Sequence, residues 1–353
     1  MKPYGIISDS HNHFWSAFSK VLPSGVNSRL RVLLDETKRC AAEVNKAGGD
    51  TLYHAGDLFH VRGSLTPSVL NPTLDCYREI TESGIRVAII PGNHDAEAKN
   101  VERVSSAVTS LEGVGCFVAS GGNFLLRDGV VLVPWIENID ELKTQLIAAR
   151  DSLSESELKE CDAIIHAPID GVIPGLPDHG LSPEWLGDLG FKRVFAGHYH
   201  NHKSFPKGVY SIGALAHHTW SDIGSKAGFL IVKDNNVQWF KSRAPEFIEL
   251  NADDDSDELP LIVDGNYVRV KTTMTSAADI AGIRETLEGY GAAGVTVIAQ
   301  KDASVVSRSD ATVSAGSSVE ASVSAFIKGA SLDNPDKLLT RCMEILSAAK
   351  EAA

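Results

Sequence analysis

Short apolar runs alternate with amphipathic stretches from residue 4 to about residue 135. "YGII" opens the series, followed by "RLRVLLDETKRCAAEVNKAGG", "TLYHAGD", "PSVLNPTLDCYREITESG" and "IRVAIIPGNHD". In the second stretch Leu30, Leu33, Leu34, Ala41 and Val44 recur near helical spacing, and Gly48 and Gly49 close it. That pattern predicts a helix. The fourth stretch also ends on a glycine, Gly84. Strand–helix alternation of this kind predicts an α/β layered sheet. Further strands are predicted at Val130–Val133, Ala163–His166, Arg193–Ala196, Val209–Ile212, Phe229–Val232 and Val237–Phe240. The later ones follow one another on short turns such as "KDNN", which predicts antiparallel pairing there and two sheets packed together.

The pattern changes after residue 245. The acidic run Asp253–Glu258, just before Pro260, reads as a hinge. A compact β-α-β unit follows at 259–300, carried by "NYVRVKT", "AADIAGIRETLEGYG" and "GVTVIAQ". Residues 301–318 are rich in serine, alanine and glycine and read as a linker. Residues 319–353 form a helical tail. There Asn334 and Pro335 suit the N-cap and first helical position, and Leu338, Leu339, Cys342, Ile345 and Leu346 share one face.

The apolar runs end in unusual company. "IISDSH" closes on Asp9 and His11, "LYHAGD" on Asp57, "IIPGNHD" on Asn93 and His94, "AIIHAP" on His166, and "VFAGHYH" on His198 and His200. Each segment alone reads as a strand followed by an ordinary turn. All of them in order point instead to a metal centre, because α/β sheets gather ligands beyond their strands' carboxyl ends. Imidazole, carboxylate and amide oxygen together suit manganese, iron or zinc better than calcium. Asp9, His11, Asp57, Asn93, His166, His198 and His200 are too many for one tetrahedral ion and suit two ions about 3.5–4 Å apart. Asp57 is the natural bridge, because a carboxylate offers one oxygen to each ion.

Composition narrows the setting. The chain of 353 residues is 43% hydrophobic, enough for a full core in more than one domain. No apolar run is long enough to span a membrane, and the first strand starts too early for a signal peptide. The five cysteines are scattered and lack C-x-x-C spacing, which reads as reduced thiols in a cytoplasmic setting. A net charge of −13 argues against non-specific coating of nucleic acid. It leaves open an enzyme that meets a polyanion through bound cations.

The series D-x-H, G-D, G-N-H-D, H and G-H-x-H resembles the calcineurin-like metallophosphoesterases over residues 4–202. The resemblance implies a two-sheet sandwich flanked by helices, and "NYVRVKT" resembles the opening strand of the small α+β capping domain of SbcD-type nucleases, here at 259–300. The metallophosphoesterase resemblance also implies that Asp9, His11, Asp57 and His200 hold one ion, and that Asp57, Asn93, His166 and His198 hold the other. His94 would stabilise the phosphoryl transition state and protonate the leaving oxygen, with Asp95 orienting it. Within the superfamily, "GDLFH" with a following "TPS" is similar to the second motif of SbcD-type double-strand-break repair nucleases. That likeness implies a manganese-dependent DNA exo/endonuclease subunit in which His60 positions the DNA phosphate. It also implies a homodimer built on helices near Pro67–Ser83 and Glu97–Ser110, and a tail that docks on an SbcC-type coiled-coil ATPase. The compact form fits bacterial and phage members. DNA would be met by local cations: Arg62, Lys99, Arg103, Arg193, Lys203 and Lys207. His13, His54, His202, His217 and His218 flank the motifs without an assigned role, and Trp220 reads as packing. The competing reading is a stand-alone phosphodiesterase or phosphatase for a small phosphoester, with residues 259–353 as a lid.

Overall fold

The computed structural model describes residues 1–97, 105–251, 257–273, 276–299, 318–329 and 334–351. In chain order, β1 (Tyr4–Ile7), α1 (Ser28–Lys46), β2 (Thr51–His54), α2 (Pro67–Glu82), β3 (Arg86–Ile89) and β4 (Phe117–Val118) come first. β5 (Leu125–Arg127), β6 (Val130–Val133), α3 (Ile139–Asp151), α4 (Glu155–Leu158), β7 (Asp162–His166) and α5 (Pro183–Asp188) follow. Next are β8 (Arg193–Gly197), β9 (Lys203–Phe205), β10 (Val209–Ser211), β11 (Gly228–Lys233) and β12 (Asn236–Lys241). The chain continues with β13 (Phe247–Asn251), α6 (Leu259–Val263), β14 (Tyr267–Thr272), α7 (Ala277–Gly289), β15 (Gly294–Ala299), α8 (Val319–Gly329) and α9 (Pro335–Glu351).

Two six-stranded mixed sheets carry the fold, in the orders β12-β11-β1-β2-β3-β4 and β5-β6-β7-β8-β10-β9. Strands β1 to β4 run parallel, and so do β6, β7, β8 and β10. Alternate side chains of each central strand bury on opposite faces. Ile6, Tyr53, Ala88, Val130, Leu132, Ile164 and Phe195 fill the core between the sheets. Ile7, Leu52 and Ile89 instead pack under α1 and α2, and Val131, Val133, Ala163 and Ile165 pack with Leu142 and Leu146 of α3 and Leu186 of α5. With both faces covered, these strands read as unbroken apolar runs.

The late strands behave differently from the expectation. β11 and β12 are antiparallel, but β10 runs parallel to β8 because β9 has already turned the chain back. α1 starts where Asn27 accepts hydrogen bonds from the Arg29 and Leu30 amides at 3.1 and 3.2 Å, and it buries Leu30, Leu33, Leu34, Ala41 and Val44. Of the stretch expected as a helix at Glu97–Ser110, residues 98–104 lie outside the described residues. Ala107–Val114 forms a 3-10 turn whose Val108, Leu111 and Val114 are buried in the core.

A third sheet has the order β13-β14-β15 and packs Val268, Val270 and Val295 against Val263 of α6 and Leu287 of α7. Its first strand, β13, precedes the acidic run, much of which lies outside the described residues together with the serine-rich segment 301–317. The chain divides into two compact units, Met1–Val270 with Ala281–Val297, and Lys271–Ile280 with Ile298–Ala353. In the second, α8 and α9 pack on each other. No described helix is long and apolar enough to cross a membrane. Cys40, Cys76, Cys116 and Cys161 are buried free thiols, and Cys342 is a half-buried one.

Candidate metal centre

Because β1, β2 and β3 are parallel, the loops leaving them emerge on one edge, as do those leaving β7 and β8. These loops deliver Asp9 and His11, Asp57, Asn93 and His94, and His198 and His200, while His166 is the last residue of β7. The backbone is bent hard here. Asp9, His11, Asp57 and His198 have φ values of 49°, 45°, 55° and 108°. A non-glycine residue in this region costs about 1–3 kcal/mol, and such strain clusters at functional sites. Gly92 is required for a different reason: a Cβ there would collide with the Asp57 carboxylate.

Among the described residues His11, His60 and His94 form one all-imidazole group, and two further groups each hold a carboxylate, Asp9 with His11 and His200, and Asp57 with His166 and His198, with donor atoms within 4.8 Å of one another in each. Asp57 joins them, its Oδ2 lying 3.5 Å from His166 Nε2 and 3.8 Å from His11 Nε2. Asn93 Oδ1 is 3.1 Å from both His166 Nε2 and His198 Nδ1. His11 Nε2 and His200 Nε2 are 3.2 Å apart. The His166 Nδ1–H donates to the Ala55 carbonyl at 2.7 Å, which turns Nε2 towards Asp57 and Asn93 as the atom a metal would meet.

Lone pairs packed this closely repel one another unless a cation lies among them, and two observations fit cations. The buried Asp9 Oδ1 has no hydrogen-bond partner, although Asp9 Oδ2 accepts from Ser8 Oγ at 2.5 Å and the His198 amide at 3.0 Å. The imidazoles are also held in the form that ligates. Burial pushes His11 well below its ordinary range, and burial with the neighbouring His166 pushes His198 down to about 3. Metal ligation requires neutral imidazole. His200 and His166 are the exceptions. Burial opposes a charge on either, but the hydrogen bond to Asp222 raises His200, and the Asp57 carboxylate carries His166 up to about 9, while Asp57 is held below its usual range. Without a metal, a proton on His166 takes over part of the cation's role.

The calcineurin-like phosphoesterase family matches residues 2–202, which span every one of these segments. The chain belongs to that family. It is 26% identical over 176 residues to exonuclease subunit 1 of Enterobacteria phage T4, covering 48% of this chain and 49% of that protein. It thus spans about half the length of the curated relative it matches. A dimetal phosphatase from Danio rerio superposes with a TM-score of 0.36 at 12% identity, over 65% of this chain and 91% of the other. Nuclease MPE from Pseudomonas putida gives 0.31 at 14% identity, over 67% and 87%.

Around the centre of this phosphoesterase, the remaining expected residues divide. The His94 amide donates to Asp57 Oδ1 at 2.8 Å, and its Nδ1–H donates to the His60 carbonyl at 2.7 Å, leaving Nε2 free to act. Asp95 makes no hydrogen bond to the His94 ring. Its buried carboxylate accepts from the amides of Gly92, Phe59 and Leu58 at 2.8, 2.9 and 3.2 Å, tying the Asp57 and Asn93 loops together. Three backbone donors outcompete an imidazole that already has a carbonyl partner. His60 stacks on His94, with ring centroids 5.7 Å apart, and its Nδ1 is 3.4 Å from His11 Nδ1.

Among the expected DNA-facing cations, Arg62 is exposed and Lys203 donates to the Gly171 carbonyl at 2.6 Å. Lys99 and Arg103 lie outside the described residues. Lys207 is exposed and pairs with Asp188. Arg193 does not belong with them. It begins β8, a strand's length from the centre, and is buried against Asp162 at 2.7 and 2.8 Å.

Three partners carried no sequence signal. The His200 Nδ1–H donates to Asp222 Oδ1 at 2.7 Å, the His218 Nε2–H donates to the Asp9 carbonyl at 2.8 Å, and Trp135 stacks on His198 with centroids 5.2 Å apart. Of the flanking histidines, His54 is buried against Ser10 Oγ at 2.8 Å, and His202 donates to the Ser211 carbonyl at 2.9 Å. His13 lies edge-on to Trp15, and His217 Nδ1 accepts from the Phe247 amide at 3.1 Å. Trp220 packs edge-on against Phe247 and Phe18.

Proposed function

We propose that the chain is the nuclease subunit of an SbcD-type system, hydrolysing DNA phosphodiesters as an exo- and endonuclease with two manganese ions. The observation that carries the two-ion reading is Asp57, a buried carboxylate within 4 Å of imidazoles from both donor groups. Asp9, His11, Asp57 and His200 would hold one ion, and Asp57, Asn93, His166 and His198 the other. Such a pair neutralises charge on the phosphodiester and makes water nucleophilic near neutral pH. The chain's own groups do the rest. His94, as an imidazolium, would donate its Nε2–H to the leaving 3′- or 5′-oxygen, while the His60 carbonyl accepts the Nδ1–H and orients the ring. The three amides on Asp95 hold the two loops in register.

The DNA reading is supported by the similarity to the phage exonuclease subunit and by the "GDLFH" segment. The helical tail α8–α9, with Phe326 and Ile345 exposed, would dock an SbcC-type ATPase, and the nuclease would act as a homodimer inside a bacterial or phage-infected cell. End-labelled duplex, single-stranded and hairpin DNA incubated with the protein in manganese tests the proposal. Metal-dependent cleavage abolished by chelator is expected. Hydrolysis of bis-p-nitrophenyl phosphate without DNA cleavage, alone or with an SbcC-type ATPase, would overturn it in favour of a small phosphoester.

A further inference from the structure

We propose that Asp222 is a positioning residue that fixes the tautomer of His200 and so presents its Nε2 to the metal centre. The inference rests on the reading of His200 as a ligand. A neutral imidazole carries one N–H, on either nitrogen, and the partner of one nitrogen decides the role of the other. Asp222 is 4% exposed, and its Oδ1 lies 2.7 Å from His200 Nδ1. An ionised carboxylate only accepts, so the proton is held on Nδ1 and the lone pair on Nε2. That Nε2 is the atom facing His11 Nε2 in the donor group with Asp9.

The second carboxylate oxygen is also committed. Asp222 Oδ2 accepts from the amides of His218 at 2.8 Å and Thr219 at 2.9 Å, closing a capping box on the helical turn Trp220–Asp222. The same turn reaches the centre a second time, because the His218 Nε2–H donates to the Asp9 carbonyl at 2.8 Å. One short segment therefore steadies two of the three members of that group. His166 differs in that its Nδ1–H is held by a main-chain carbonyl, Ala55, which no substitution can remove.

This geometry gives the substitution Asp222→Asn a definite consequence. Asparagine has one accepting oxygen and one donating amide. The two backbone amides at 218 and 219 require the oxygen, so the NH2 group faces His200 Nδ1. That nitrogen must then accept, and the proton moves to Nε2, the atom needed for the metal. The capping box keeps its acceptor, so the fold is preserved while the ligand is turned off.

Two readouts test the proposal. In metal-free wild-type protein, at a pH high enough for His200 to be neutral, long-range proton–nitrogen correlation of the imidazoles should show its single proton at Nδ1, and in Asp222→Asn at Nε2. Manganese titration by calorimetry should show two sites in the wild type, one of them weakened about 10–100-fold in the variant, the scale of lost partners to metal-ligating groups. His200 protonated at Nε2 in the wild type, or two undiminished sites in the variant, would overturn the role of Asp222. A wild type that takes up fewer than two ions would instead overturn the two-ion reading, with the tautomer measurement still deciding on Asp222.

Discussion

Replacing His94 with alanine should separate the proton donor from the metal centre. In the structure the imidazole is held by its Nδ1–H bond to the His60 carbonyl at 2.7 Å, which leaves Nε2 without a protein partner among the described residues. What holds the Asp57 carboxylate is the His94 main-chain amide at 2.8 Å, which survives the substitution. The loss is therefore confined to proton donation, worth about 10²–10⁴-fold in rate, or roughly 3–5 kcal/mol of barrier. A nucleoside alkoxide needs that proton to leave, whereas p-nitrophenolate hardly does. Turnover of a dinucleotide should therefore fall by the full factor, and turnover of bis-p-nitrophenyl phosphate by about tenfold or less. Both rates are measured in manganese, with metal content checked on the same samples. Equal losses on the two substrates, or loss of bound metal, would refute the assignment of His94 as the acid.

Other outcomes follow from the same geometry. Gly92→Ala drives a Cβ into Asp57 and should cost about 1–3 kcal/mol in urea unfolding while weakening manganese binding; wild-type affinity would contradict the close approach. Asp162→Asn leaves Arg193 buried without its counter-charge, and should destabilise by about 3–5 kcal/mol without changing metal stoichiometry. An unchanged urea midpoint would argue against that pair. Stability of the metal-free protein should peak near pH 6.5 and fall on both sides. Burial holds His54, His198 and His218 at about 3, so acidification below 6.5 favours the unfolded chain, which binds those protons. His166, held at about 9, contributes stability that is complete below 6.5 and is lost as pH rises through 9. Urea midpoints in chelator that climb from pH 6.5 to 9 would contradict this sign.

Much of the fold and most of the candidate ligands were legible because local pattern and tertiary position coincide. The central strands are buried on both faces, so "VVLV" and "DAIIH" stand out as apolar runs. The sequence then changes character where the strand ends and the candidate site begins. What escaped depends on chain return. Asp222 lies in a segment with no apolar periodicity, and meets His200 only because the loop between β10 and β11 folds back over the centre. Arg193 misled for a related reason. It is five residues from His198, but an extended strand places those five residues far apart, with the arginine at the opposite pole. Asp95 stands beside His94 in sequence, yet adjacent side chains diverge, and its carboxylate turns to the backbone beneath. α3 went unpredicted although Leu142, Leu146 and Ala149 share its buried face.

A pair of ions shared by Asp57 underlies the proposed chemistry, and anomalous diffraction from crystals grown in manganese would locate both. Two peaks about 3.5–4 Å apart are predicted, one against Asp9, His11 and His200, the other against Asn93, His166 and His198, with Asp57 touching both. A single peak, or two peaks that do not share Asp57, would contradict the account.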